Sequence, residues 1–176
     1  EEYWDKRQLV KKINLNSLYG AILNPGCRFF DKRIGQSTTL TGRTIVKHMS
    51  AEANKVITGT YDHVGDAVIY GDTDSVYFSA YPTLKEGIDK GDIPWSTENA
   101  IKLYDQVSDA VDGTFMDFML EAFHCPKSRA TVIAAGREIV AQSGLFITKK
   151  RYAALVVDNE GFRTDIDGKA GKVKAM

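Results

Sequence analysis

Apolar positions recur at helical spacing in three stretches and alternate or run continuously in the rest. Over residues 3–19, Leu9, Ile13 and Ser17 fall on one stripe, which predicts a helix. Gly20 and then Asn24-Pro25-Gly26 are expected to end it. Ile45, Met49, Ala53 and Val56 predict a second helix over about 37–57, with Thr38 or Thr41 as its cap. Two apolar runs, 66–70 and 75–79, predict a β-hairpin joined at residues 71–74. Pro82, Gly87, Gly91 and Pro94 read as a loop over 81–97. Ile101, Val107, Val111, Phe115 and Phe118 predict one long helix over 99–123, weakened at Gly113. From residue 131 the chain reads as strands over 131–141, 145–157 and 162–166. Residues 158–161, Asp-Asn-Glu-Gly, form a hairpin loop between the last two. This order predicts an α+β fold, an antiparallel sheet with helices on one face.

Composition narrows this little. The 176 residues suffice for one domain with a core, and 43 % apolar content fits a folded chain. Lys plus Arg and Asp plus Glu each number 23, so net charge argues for no partner class. No apolar run is long enough to span a membrane, and the N-terminus lacks the apolar core of a signal peptide. Cys27 and Cys125 form no C-x-x-C pair. They read as reduced thiols of a cytosolic protein, with no zinc site. Both ends read as cuts from a longer chain.

Three short stretches carry chemistry. Tyr70-Gly71-Asp72-Thr73-Asp74-Ser75 sets two carboxylates one residue apart between apolar strands. Such a pair suits Mg²⁺, which takes few carboxylates and fills its shell with water and phosphate oxygens. An ordinary solvated turn explains the same residues equally well. On the first helix Lys12, Asn16 and Tyr19 share one face. Lys and Asn suit a triphosphate and Tyr a base or sugar; a plain solvated face is the commoner explanation. Thr148-Lys149-Lys150-Arg151-Tyr152 lies within a predicted strand. It reads as a groove for nucleic-acid phosphates or as an edge strand guarded by lysines.

Together, in this order, the three stretches resemble the family B DNA polymerases. Lys12-x-x-x-Asn16-Ser17-x-Tyr19-Gly20 is similar to that family's fingers motif. Tyr70-Gly71-Asp72-Thr73-Asp74-Ser75 is similar to its palm motif. Lys149-Lys150-Arg151-Tyr152 is similar to the motif that touches primer-template DNA. Within the family the context looks most like the T-even-type phage replicative enzymes. The resemblance implies that residues 1–24 are the C-terminal fingers helix and 25–176 the C-terminal part of the palm, ending near the thumb. It implies two-metal phosphoryl transfer with Mg²⁺, for which Mn²⁺ could substitute. Asp74 is then the principal metal ligand and Asp72 a supporting one. Lys12, Asn16 and Tyr19 then hold the incoming deoxynucleoside triphosphate. Lys149, Lys150, Arg151 and Tyr152 then contact primer-template DNA. The resemblance further implies that Lys150 probes minor-groove acceptors, which sit alike in every correct pair. Glu138 is a candidate third acidic neighbour, or a surface carboxylate paired with Arg137.

The family's upstream D-x-x-S-L-Y-P motif, which carries the first catalytic aspartate, does not occur here. Implied partners are therefore the exonuclease, N-terminal palm and thumb of a longer chain, and a sliding clamp. A cytoplasmic setting, host cytoplasm for a phage, is expected. Two rivals remain: a non-catalytic nucleic-acid-binding module, and a small Mg²⁺-dependent phosphatase resting on D-x-D alone.

Overall fold

The computed structural model of the chain describes residues 2–166 and 169–175. The fold is α+β. Two compact units are present, Glu1–Ile45 and Val46–Met176.

The first unit contains α1 (Glu2–Leu23) and the start of α2 (Lys32–Thr58), which spans the boundary. Helix α1 passes through Gly20 and stops before Asn24-Pro25, so proline ends it and glycine does not. Helix α2 begins ahead of the expected caps. Asp31 Oδ1 accepts the Arg33 backbone N–H at 2.9 Å, satisfying a free donor of the first turn. The Arg33 side chain, followed by its backbone N–H, holds the Asp31 carboxyl below its ordinary range. Thr38 lies inside the helix and donates its hydroxyl to the Ile34 carbonyl at 2.9 Å.

In the second unit β1 (Val68–Asp72) and β2 (Ser75–Phe78) pair antiparallel as a separate two-stranded sheet. Residues 81–97 are not all loop: α3 (Tyr81–Asp89) forms there with Pro82 in its first turn. Proline is tolerated at that place because the first-turn N–H groups have no partner within the helix. The long helix expected over 99–123 is two, α4 (Thr97–Asp112) and α5 (Phe115–Phe123), broken at Gly113 and Thr114. Ser96 caps α4, its Oγ accepting the Asn99 N–H at 3.2 Å.

The larger sheet is made of β3 (Ile139–Thr148), β4 (Arg151–Asn159), β5 (Phe162–Arg163) and β6 (Lys172–Ala175). Strand β4 is central, with β3 along one edge and β5 and β6 along the other. Residues 131–138, expected as strand, lie outside it. The 158–161 loop turns at Glu160 and Gly161, both at positive φ (50° and 87°), between the paired Asn159 and Phe162. Two consecutive left-handed residues match the twist of the flanking strands, and glycine suits the second.

Two polar side chains pin the segment that leads into β1. Asn54 is almost completely buried. Its Nδ2 donates to the Thr60 carbonyl at 2.8 Å and its Oδ1 accepts the Ala67 N–H at 3.1 Å. Gly65 lies against it, so close that a Cβ there would stand 2.1 Å from Asn54 Nδ2.

His48 is the second. Its ring stacks on Phe118, with centroids 3.8 Å apart. Nε2 lies 2.9 Å from Thr114 Oγ1, and that hydroxyl donates to the Val111 carbonyl at 2.7 Å. The hydroxyl therefore accepts from Nε2–H, and Nδ1 is left to accept from the Tyr61 hydroxyl at 3.0 Å. Burial pushes the His48 pKa below its ordinary value; Glu52 opposes this and Lys55 reinforces it. The unfolded chain therefore takes the proton more readily than the folded one. Stability is expected to be full above about pH 6.5 and to fall as pH drops through that value, the ordinary pKa of histidine. Urea unfolding at pH 7.5 and 5.5 measures this. His48→Gln should reduce the difference between the two, and an undiminished pH dependence would place its origin elsewhere.

Candidate active site

The carboxylate pair owes its placement to the β1–β2 register. Tyr70 pairs with Tyr77, Gly71 with Val76 and Asp72 with Ser75. Gly71 and Asp72 are thus strand residues, and the connection is only Thr73 and Asp74, tighter than the expected 71–74. Asp72 is half-buried and Asp74 exposed at the tip. Asp72 Oδ1 accepts both the backbone N–H of Thr73, at 2.9 Å, and its hydroxyl, at 3.1 Å. The Thr73 backbone N–H chiefly holds the Asp72 carboxyl below its ordinary pKa; the Thr73 hydroxyl and the charges of Lys150 and Lys149 add to this against desolvation.

Those two lysines arrive from the other sheet. Thr148 pairs with Arg151, so Lys149 and Lys150 form a two-residue turn at the end of the β3–β4 hairpin. The expectation of an uninterrupted strand across this stretch is corrected. The run contains no Gly, Asn or Pro to announce a turn, yet Lys150 takes φ +62°. Its backbone N–H donates to Tyr70 Oη at 2.7 Å. The basic turn and the acidic hairpin are therefore tied together within one unit.

Aromatic packing holds the two hairpins in contact. Tyr70, Tyr77, Phe146 and Tyr152 have ring centroids 5.2–6.2 Å apart. Tyr77 donates its hydroxyl to Tyr152 Oη at 2.7 Å. Burial, then the bond to Tyr152, pushes the Tyr77 phenol well above its ordinary pKa. Tyr152 is buried in this cluster, while Lys149, Lys150 and Arg151 are exposed. Neither Tyr77 nor Phe146 stands out as a site residue in the sequence, and Tyr70 enters there only as the first residue of the Tyr70–Ser75 motif, with no role of its own. The available signal is the pair of tyrosines flanking Gly71-Asp72-Thr73-Asp74-Ser75-Val76, which the tight turn places opposite each other.

Asp74 borders a cavity of about 380 Å³, together with Tyr104, Arg137 and Glu138. Glu138 does not pair with Arg137. Lys174 Nζ donates to its Oε1 at 2.8 Å, whereas Arg137 binds Asp105 and Asp158. Among the described residues no group of three or more His, Cys, Asp or Glu side chains is placed to hold a metal ion. Asp72 and Asp74 alone fit the one or two carboxylates that Mg²⁺ uses at a phosphate site.

Lys12, Asn16 and Tyr19 belong to the first unit, on α1, whose side chains are exposed around Lys12 and Asn16. Thr39 Oγ1 donates to the Gly35 carbonyl at 2.9 Å, so the Tyr19 hydroxyl donates to Thr39 Oγ1, also at 2.9 Å. More than a third of Tyr19 remains accessible.

The family model for DNA polymerase family B matches residues 1–90, more than half of the sequence. The chain belongs to DNA polymerase family B. The DNA-directed DNA polymerase of Escherichia phage RB69 is 30 % identical over 171 residues, covering 89 % of this chain and 18 % of the relative. The DNA polymerase delta catalytic subunit of Oryza sativa subsp. japonica is 31 % identical over 157 residues, covering 88 % of this chain and 12 % of the relative. The DNA polymerase alpha catalytic subunit of Mus musculus is 29 % identical over 156 residues, covering 88 % of this chain and 8 % of the relative. The chain thus spans less than a fifth of the length of these relatives. Among the described residues no helix is long and apolar enough to cross a membrane.

Proposed function

We propose that the chain is part of a DNA-directed DNA polymerase that extends a primer by phosphoryl transfer, with residues 1–24 in the fingers and 25–176 in the palm. The observation that carries this reading is the Lys150 N–H bond to Tyr70, which sets a basic turn beside the Asp72 and Asp74 hairpin. Acid and base at one end of one unit suit a nucleic-acid end and a triphosphate better than a solvated turn does. Asp74 and Asp72 would hold Mg²⁺, or Mn²⁺ in its place. Such ions, when bound, activate the primer hydroxyl and neutralise charge on the phosphates. Lys12 would grip the β- and γ-phosphates, Asn16 the triphosphate, and Tyr19 the nascent base pair. Lys149, Lys150 and Arg151 would face the primer-template backbone and minor groove, with Tyr152 supporting them from the aromatic cluster. Similarity to a phage polymerase supports a place in viral DNA replication.

Template-directed primer extension by the full-length protein is the test. Lys12→Ala should raise KM for nucleotide by about 10–100-fold, the worth of one charge-assisted hydrogen bond. Primer-template affinity should stay nearly unchanged, and a change in DNA affinity alone would remove Lys12 from the nucleotide site.

A second reading is favoured by the absence from this sequence of the D-x-x-S-L-Y-P motif that carries the family's first catalytic aspartate. On that reading the segment is a nucleic-acid-binding module without chemistry. Salt-dependent duplex binding by the full-length protein, with no nucleotide addition, would select it.

A further inference from the structure

We propose that Tyr70 is a positioning residue: its phenol fixes the Lys149 and Lys150 turn, and through it the grip of Lys150 on a primer-template. The inference rests on the reading of Lys150 as a DNA contact given above.

Three observations point to it. First, the Lys150 amide lies in a two-residue turn beyond the last strand pair, Thr148 with Arg151. The Tyr70 phenol supplies it with an acceptor from the other sheet, 80 positions away in sequence. Second, Lys150 takes φ +62°, a conformation that turns normally assign to Gly or Asn. A side chain held there persists only when its surroundings over-determine it, and such positions gather at functional sites. Third, Tyr70 is itself held. Its ring packs on Tyr77, Phe146 and Tyr152, with centroids 5.8, 5.6 and 6.2 Å away. It also lies two residues before Asp72 on the same strand, hence on the same face. One rigid phenol thus spans the gap between acidic strand and basic turn. Without its hydroxyl the turn is free to relax toward negative φ, which redirects the Lys150 side chain while leaving every charge in place.

The experiment uses the full-length protein and four forms: wild type, Tyr70→Phe, Lys150→Ala and the double variant. Equilibrium binding to a primer-template at fixed salt is measured for each. Tyr70→Phe should weaken binding by about 3–10-fold, the range of one lost hydrogen bond. In the Lys150→Ala background, where the amide remains but the ammonium is gone, Tyr70→Phe should have no further effect. Amide hydrogen exchange over residues 145–155 should be faster in Tyr70→Phe. A Tyr70→Phe penalty of the same size with and without Lys150 would reduce Tyr70 to a packing residue and overturn the inference. An unweakened Tyr70→Phe alongside a weakened Lys150→Ala would also overturn it, while sparing the role of Lys150. If Lys150→Ala itself binds as wild type, the DNA-contact reading fails and the inference falls with it.

Discussion

Asp74→Ala in the full-length protein should abolish templated nucleotide addition, lowering the single-turnover rate by about 10³-fold or more. Loss of one preorganised electrostatic partner in a transition state already costs about 10²–10³-fold, and a carboxylate that anchors a dication should exceed that. The two hairpin carboxylates differ in what the fold asks of them. Asp72 Oδ1 is occupied by the Thr73 N–H and hydroxyl, so part of its acceptor capacity serves the turn. Among the described residues no hydrogen bond or ion pair engages the Asp74 side chain, which sits exposed at the tip. Its removal should therefore leave stability within about 0.5 kcal/mol, as for other exposed positions without partners. Primer-template affinity should hold or rise slightly, since one negative charge near the phosphates is gone. Asp72→Asn keeps an oxygen for Thr73 and should lose less activity than Asp74→Ala. Near-wild-type addition by the Asp74→Ala protein would end the assignment of this hairpin as the catalytic tip.

The acidic hairpin was legible because its signal is local: two apolar runs and a polar gap of fixed length. The basic turn was not, because nothing local announces it. Phe146 and Ile147 before it, and Ala153 and Ala154 after it, read as one continuous strand. The Lys150 amide in that turn bonds a phenol on another sheet, and sequence spacing does not carry that bond. Residues 81–97 failed for the opposite reason. Pro82 is a helix breaker in a helix interior but a neutral residue in a first turn, and only the start of α3 decides which rule applies. The split of α4 from α5 was half legible, since Gly113 marked the place without fixing the outcome. Charge pairing here is long-range rather than local. Glu138 and Arg137 are neighbours in sequence, yet each pairs with residues more than twenty positions away.

Those distant partners make Arg137 the position where one substitution should cost the most stability. Arg137 Nε donates to Asp105 on α4, and Nη1 donates to Asp158 on β4. Asp158 is only 2 % exposed, and its Oδ1 also accepts the Gly161 N–H at 3.0 Å, fixing the turn into β5. Arg137→Leu would leave a buried carboxylate without its direct ion-pair partner, with only the more distant charge of Arg163 beside it. Breaking such a pair from one side costs about 3–5 kcal/mol, because the orphaned ion keeps its desolvation penalty. The partly exposed Asp105 can return to water and should add little. The pairing itself need not be worth that much, since removing both charges is often close to neutral. Arg137→Leu with Asp158→Asn should therefore recover much of the loss. The amide oxygen that replaces the carboxylate can still accept the Gly161 N–H, and no buried charge remains. Denaturant midpoints for the single and double variants measure both effects. A cost below about 1 kcal/mol for Arg137→Leu would mean that water reaches Asp158, and that α4 and β4 are joined by apolar packing alone.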